Sequence, residues 1–353
     1  MRQTLRTFLL TLAALALIDL AAAGALGWAA GAGRLGGLVA YFDYGRSVPG
    51  KLAAWDEAPD APGNLADIAW RPAQLAASAE GFAAEDPGAG PVLRAYGMSF
   101  TSNILAEAEA LDPALSVDRH DGPSAPPNFT FAQFLDDRPN RRAGDVVVLG
   151  ILSSSLPAMA ALSNQTWAFE QPAPFTYPVF LPEGDGLARI EPVIETADEA
   201  RDPALAGAWR AQLREVDAFH APVTFGATWA DASPFLRLVR RSLAKRHIAR
   251  VERRIEAGEL YPVAEVLPRM IAAFAAMARE DGQVPVVLLI QGRDGSDLDL
   301  LALTAPVLER EGIPYLATAE IASPSDPANF AADSHYRPEV DRRFAEALLR
   351  LLP

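Results

Sequence analysis

From Phe8 to Ala32 the chain is apolar on every side, interrupted only by Thr11 and Asp19. As a helix, these 25 residues would reach roughly 37 Å at about 1.5 Å per residue, enough to cross a hydrocarbon core of about 30 Å. Arg2 and Arg6 precede the stretch. Basic flanks stay on the cytoplasmic side, so residues 1–7 are expected in the cytoplasm and the remainder outside a bacterial inner membrane. Residues 8–33 read first as an uncleaved transmembrane anchor. A cleaved signal peptide is the second reading, with Ala21-Ala22-Ala23 as a small-residue cleavage site. Both readings export the rest of the chain to the periplasm or beyond. Asp19 is the odd residue, because a carboxylate at the centre of a spanning helix costs about 2.5–3.5 kcal/mol. It reads either as a tolerated residue or as a contact with another membrane helix. The spacing of Gly27 and Gly31 would allow close helix approach to a membrane-protein partner.

The pattern then changes twice. Residues 34–90, rich in Ala, Pro, Gly and Asp, read as a juxtamembrane segment and linker, with the aromatics of Tyr41 to Trp55 near the membrane surface. From Pro91 onward, short apolar runs alternate with amphipathic ones. Strands are expected at 92–95, 115–118, 146–149, 284–290 and 315–318. Helices are expected at 102–111, 129–135, 198–219, 234–257, 263–281, 297–311 and 338–352, the last with Val340, Phe344, Leu348 and Leu351 on one stripe. A hairpin or extended excursion is expected over 175–194, inside an irregular insertion spanning about 160–260. Val146 to Leu149 and Val284 to Ile290 are continuous apolar runs, as strands buried on both faces require. Strands separated by helices imply a mainly parallel sheet covered on both sides, a three-layer α/β/α domain over 91–353. In such sheets ligands sit at the carboxyl ends of the strands.

Composition narrows the partners. Lys and Arg number 31 against 45 Asp and Glu, a net charge of −14, so no basic surplus exists to displace counterions from nucleic acid. The one basic cluster, Arg237 to Arg254, reads as a solvated helix face, with anionic lipid or glycan contact as the minority reading. The chain has no cysteine, which excludes disulfides and thiolate catalysis. His220 and His247 lack partners at metal spacing and read as core or surface residues; no metal or cofactor is expected. Asn128 and Asn164 begin glycosylation sequons that are read as chance. Trp167, Phe169, Phe175 and Tyr177 are dense enough to line a sugar cleft, and equally serve as core or loop anchors.

Two distant segments carry the candidate chemistry. Tyr96-Gly97-Met98-Ser99-Phe100 follows the first strand, and Asp333-Ser334-His335-Tyr336 precedes the last helix. A serine hydroxyl needs an imidazole to take its proton and a third group to orient that imidazole. The order Ser…Asp…His offers all three. Taken singly, Ser99 or Ser102 could equally cap a helix, and Asp333 or Ser334 could do the same beside an exposed His335.

On these segments the chain resembles the SGNH/GDSL hydrolase superfamily over about 91–353, in the style of its membrane-attached members that acylate or deacylate bacterial polysaccharides. The family's Gly-Asp-Ser block is met here by Gly97-Met98-Ser99, with Met98 in place of the acid. Its closing block is met by Asp333-Ser334-His335-Tyr336. The resemblance implies a flavodoxin-like three-layer fold, Ser99 as nucleophile, His335 as base and Asp333 as its orienting acid. It also implies an oxyanion site, for which Gly122 is the candidate in the second block. The third block's asparagine is absent after Leu149-Gly150-Ile151-Leu152, leaving Asn128 or Ser153 as substitutes. The implied activity is an acyl esterase or O-acyltransferase acting on acetyl esters of an envelope or secreted polysaccharide. A catalytically inactive glycan-binding scaffold of a synthesis or export complex is one alternative; a lipid-directed esterase is another.

Overall fold

The computed structural model of the chain describes residues 2–34, 70–84, 90–168, 175–222, 233–293 and 298–353. Most of the expected 34–90 segment, including Tyr41 to Trp55, lies outside the described residues, as does Phe169. The chain divides into two compact units. One comprises Met1–Ala66, Ser163–Pro174 and Phe219–Arg250; the other comprises Asp67–Leu162, Phe175–Ala218 and Val251–Pro353.

The first unit contains helix α1, Arg2–Gly31. Its stretch Gln3–Ala29 is long and apolar enough to cross a membrane or to serve as a signal sequence, and Leu9, Leu15 and Leu20 on it are exposed.

The second unit holds the expected α/β domain. Helix α2, Arg71–Ala84, falls within the stretch expected as linker; its Ala-rich sequence favours helix, and Trp70 and Arg71 at its start are buried. The sheet consists of β1 (Val92–Gly97), β2 (Ser116–Asp121), β3 (Val146–Leu152), β6 (Val284–Ile290) and β7 (Tyr315–Ala317), in the order β2-β1-β3-β6-β7 and parallel throughout. Between β3 and β6, an antiparallel hairpin of β4 (Val179–Glu183) and β5 (Gly186–Ile190) fills part of the expected excursion. Every residue of β1 and β3 is buried, which accounts for the unbroken apolar run of β3; β1 includes one charge, Arg94.

Helices α3 (Ser99–Leu111) and α4 (Pro127–Asp136) connect β1 to β2 and β2 to β3. The first connection moves one way across the sheet and the second returns the other way, so right-handed crossovers place the two helices on opposite faces. Helix α5 is Leu205–Val216, α6 is Pro234–Glu256, of which residues up to Arg250 belong to the first unit, and α7 is Val263–Glu280, which packs on α4 and β6. Helix α8, Leu300–Glu311, lies against α7, and α9, Pro338–Leu349, lies against α3. Val340, Phe344 and Leu348 of α9 are buried as the stripe predicts, while Leu351 falls beyond the helix and is half-buried. Phe175 and Tyr177 are fully buried, with Phe175 5.3 Å from Phe129 by ring centroids, so they belong to the core and offer no stacking face to a sugar.

The sheet rests on buried charge as well as apolar packing. Arg94 on β1 is almost wholly enclosed, with Nε donating to Asp145 at 3.0 Å and a terminal nitrogen to Asp118 at 2.5 Å. Asp145 also accepts from the backbone N–H groups of Val92 (3.0 Å) and Arg142 (2.9 Å). One carboxylate thus fastens the start of β1 to the turn before β3. Its other neighbours form a continuous set: Tyr96 donates to Asp137 at 2.6 Å, and His120 stacks on Tyr96 while meeting Asp118 at 3.2 Å. Asp118, His120 and Asp137 lie close enough to share an ion, but Arg94 and the Tyr96 hydroxyl already answer their charge, so the cluster reads as a structural network. Burial opposes ionisation of Asp118, yet His120 and Arg94 together hold its carboxyl below the usual range.

Where β1 ends, the backbone is crowded. A β-carbon at Gly97 would stand 2.5 Å from Thr101 Cβ, and one at Gly150 on β3 would collide with the Thr101 hydroxyl and stand 3.4 Å from Gly97 Cα. Both glycines are needed for space. Gly97→Ala and Gly150→Ala are each expected to lower stability by about 1–3 kcal/mol, the range for overpacking a tight site. Urea midpoints check this, with Gly207→Ala as the control: a β-carbon there on α5 meets nothing, and the change should be neutral or mildly stabilising.

Candidate active site

Helix α3 begins at Ser99, three residues earlier than the periodicity suggests, because Met98 is extended and its carbonyl already accepts from Ser102 N–H. Ser99 therefore stands in the first helical turn, directly past the end of β1. This is also where the strand order reverses: the chain passes from β1 to β2 on one side and from β3 to β6 on the other. Such a reversal opens the crevice in which doubly wound sheets bind ligands. The first turn of a helix has N–H groups with no intrahelical acceptor and a partial positive charge, both directed at whatever lies in that crevice.

The segment from Phe330 to Tyr336 folds back on itself. Phe330 and Tyr336 form an isolated antiparallel bridge, Ala331 N–H donates to His335 O at 2.8 Å, and Ser334 takes a left-handed conformation at φ 70°. Tyr336 fixes this loop to the core. Its ring lies 4.6 Å from Phe330 and 4.8 Å from Phe344 by centroids, and its hydroxyl donates to Gln291 O beyond β6. Burial pushes the Tyr336 hydroxyl above its ordinary pKa, keeping it a neutral donor.

His335 consequently meets Ser99. The distance from Ser99 Oγ to His335 Nε2 is 2.7 Å, and from His335 Nδ1 to Asp333 Oδ2 is 3.2 Å. With Nδ1–H donating to Asp333, Nε2 is left as the acceptor for the serine hydroxyl. Asp333 Oδ1 also accepts from His335 N–H at 3.2 Å, and this backbone bond, with the imidazole beside it, holds the carboxyl below its usual range. The Asp333 side chain is 69% exposed and that of His335 is 29% exposed, so the far end of this hydrogen-bonded chain is wet. Phe100 covers the imidazole with its ring centroid 4.6 Å away.

Among similar solved structures is one described as a protein of the G-D-S-L family from Desulfitobacterium hafniense DCB-2; the match covers 74% of this chain and 100% of that one, at 10% identity and a TM-score of 0.36. At that level the likeness assigns no activity. No family model matches the chain, and no curated protein does.

The expected oxyanion residues have hydrogen-bond partners within the protein. Gly122 N–H donates to Gly97 O at 3.2 Å, and Gly122 owes its residue type to space, since a β-carbon would stand 2.8 Å from both Ala125 and Phe129. Asn128 is fully buried, its side-chain N–H groups donating to Met159 O at 2.8 Å and Pro178 O at 3.0 Å. The buried Ser153 hydroxyl accepts from Gly292 N–H at 3.1 Å. All three tie loops together at the sheet's carboxyl end. β3 itself runs to Leu152, three residues past its expected end, and the next exposed side chain there is Ser154.

Sequence reasoning passed over Asp121, the last residue of β2. It pairs in register with Gly97, and Ser102, one turn along α3 from Ser99, donates to its carboxylate. Burial is the main cause that pushes its pKa from 3.8 up to about 7. The signal was an acid directly before Gly122 at a strand end. Because the folded pKa exceeds the unfolded one, the folded chain holds the extra proton between about pH 4 and 7. Stability from this group is full below that window and lost as pH rises through it. Asp121→Asn should therefore gain stability over the parent by about 1–3 kcal/mol at pH 8 and little at pH 4, as read from denaturant melts at both values.

Proposed function

We propose that this chain is an exported, serine-dependent acyl esterase or O-acyltransferase of the SGNH type. The single observation that carries the reading is the hydrogen-bonded chain Ser99–His335–Asp333 at the carboxyl end of a parallel sheet. Ser99 Oγ attacks the ester carbonyl as His335 Nε2 removes its proton. The tetrahedral oxyanion forms against the free N–H groups of the first turn of α3, where the helix dipole adds to their pull. Asp333 holds the imidazole in the correct tautomer and steadies the imidazolium. His335 then protonates the leaving alcohol, and an acyl group stays on Ser99. Water takes that group in an esterase; a sugar hydroxyl takes it in a transferase.

For the substrate we favour acetyl esters of an envelope or secreted polysaccharide. Support comes from the membrane-crossing potential of α1 and from the resemblance to polysaccharide-modifying members of the superfamily. A second reading, a glycan-binding scaffold without turnover, draws on one observation: the donors of Gly122 and Asn128 are already engaged by the protein. A lipid-directed esterase would instead act faster as the acyl chain lengthens.

Fluorophosphonate labelling and p-nitrophenyl ester turnover separate these readings. Ser99→Ala and His335→Ala are expected to abolish labelling and to lower turnover by about 10⁴-fold or more. Asp333→Ala should cost less, on the order of 10²-fold, since its carboxylate acts across a solvent-screened contact. Acetyl esters should be preferred over octanoyl ones. A folded parent protein that takes up no label would leave the scaffold reading in its place.

A further inference from the structure

We propose that helix α6 is a second membrane element, whose first turns lie in the hydrocarbon beside α1 and are pinned there by Asp19. The carboxylate of Asp19, midway along α1, accepts from the Ser233 hydroxyl at 2.5 Å and from Phe235 N–H at 3.0 Å. Ser233 Oγ in turn accepts from Leu236 N–H at 3.2 Å. The opening donors of α6 are thus met by one acceptor from a neighbouring helix and one cap. In water, solvent would satisfy these donors without help. In hydrocarbon each unmet donor costs several kcal/mol, so an internal acceptor is obligatory. The same contact answers the anomaly of an acid within an apolar span, because a helix N-terminus is the partner that favours a negative charge.

The exposed surface of α6 changes character along its length. Phe235, Val239 and Leu243, at i, i+4 and i+8, are 38%, 41% and 47% exposed. Beyond them the exposed residues are Lys245, Arg246, Arg250, Arg253 and Arg254. From Phe235 to Lys245 the helix advances about 15 Å, and half the thickness of a bilayer core is about 15 Å. On its exposed surface, a helix starting level with the middle of α1 therefore carries Phe235, Val239, Ser242 and Leu243 over the depth of the hydrocarbon and cations where headgroups begin, with Arg241 half-buried between them. The inward-facing Arg237 and Arg240 are buried, so the basic run is not one solvated face throughout. The occupant of the exposed stripe is lipid with anionic headgroups, continuous with the lipid around α1.

The chain lacks cysteine, so single spin labels are introduced cleanly. Full-length protein carrying Phe235→Cys, Leu243→Cys or Arg250→Cys is reconstituted into phosphatidylglycerol–phosphatidylethanolamine vesicles. Collision with oxygen and with a water-soluble nickel chelate is then read by electron paramagnetic resonance. Expected are oxygen-accessible, nickel-shielded labels at 235 and 243, and the reverse at 250. High nickel accessibility at 235 would place α6 in water and overturn the proposal. Shielding from both reagents would mean that protein, such as a second copy, covers the stripe, and would overturn it equally. Asp19→Leu and, on the partner side alone, Ser233→Ala should each raise nickel collision at 235 severalfold and leave 250 unchanged. An unchanged 235 profile in both would dismiss Asp19 as the pin. None of these readouts depends on the Ser99 chemistry.

Discussion

Two glycines and a threonine set the geometry on which the candidate site depends. Because neither Gly97 nor Gly150 has a side chain, Thr101 settles over the ends of β1 and β3, and α3 can start at once where β1 stops. That abrupt strand-to-helix turn brings the first-turn N–H groups and the Ser99 hydroxyl to the same rim of the sheet. A longer connection would separate the Ser99 hydroxyl from the helix dipole. Close packing and electrostatics are here one constraint, since the approach that excludes a methyl group is the one that orients the amides.

The second half of the site reaches the first from 236 residues away along the chain. No contact within the Asp333–His335 loop could fix its position relative to Ser99. Tyr336 does so, by placing its ring among Phe330 and Phe344 and its hydroxyl on Gln291 at the end of β6. α9, packed along α3, adds a rigid strut between the two segments. The imidazole is thereby delivered by core packing, while Asp333 remains exposed at the surface beside it. The buried set around Arg94, Asp145, Tyr96 and Asp137 plays the same supporting part for β1, locking the strand that carries Gly97.

The proposed membrane placement follows the same logic of satisfied donors. In hydrocarbon, Asp19 would be costly alone and so would the N-terminus of α6; joined, each would remove the other's penalty. On that proposal, the apolar exposure on α1 and on the first half of α6 would have one physical explanation in common.

The sequence by itself determined the sheet strands and most of the helices between them, in order, though not α2, which lies in the stretch read as linker. Continuous apolar runs marked buried strands, 3.6-residue stripes marked covering helices, and their alternation marked a parallel three-layer sheet, because burial demands are local and periodic. It also marked Gly97-Met98-Ser99 and Asp333-Ser334-His335 as candidate chemistry, since few residue types can activate a hydroxyl. Tertiary structure alone decided which of those groups meet. It drew Ser99, His335 and Asp333 together, and it turned Gly122, Asn128 and Ser153 to other hydrogen bonds. It raised Asp121 from an ordinary strand end to a buried neighbour of the site, and it gave Asp19 a partner more than two hundred residues away. Hydrogen-bond partners and desolvation depend on which segments pack against one another, and no periodicity along the chain encodes that.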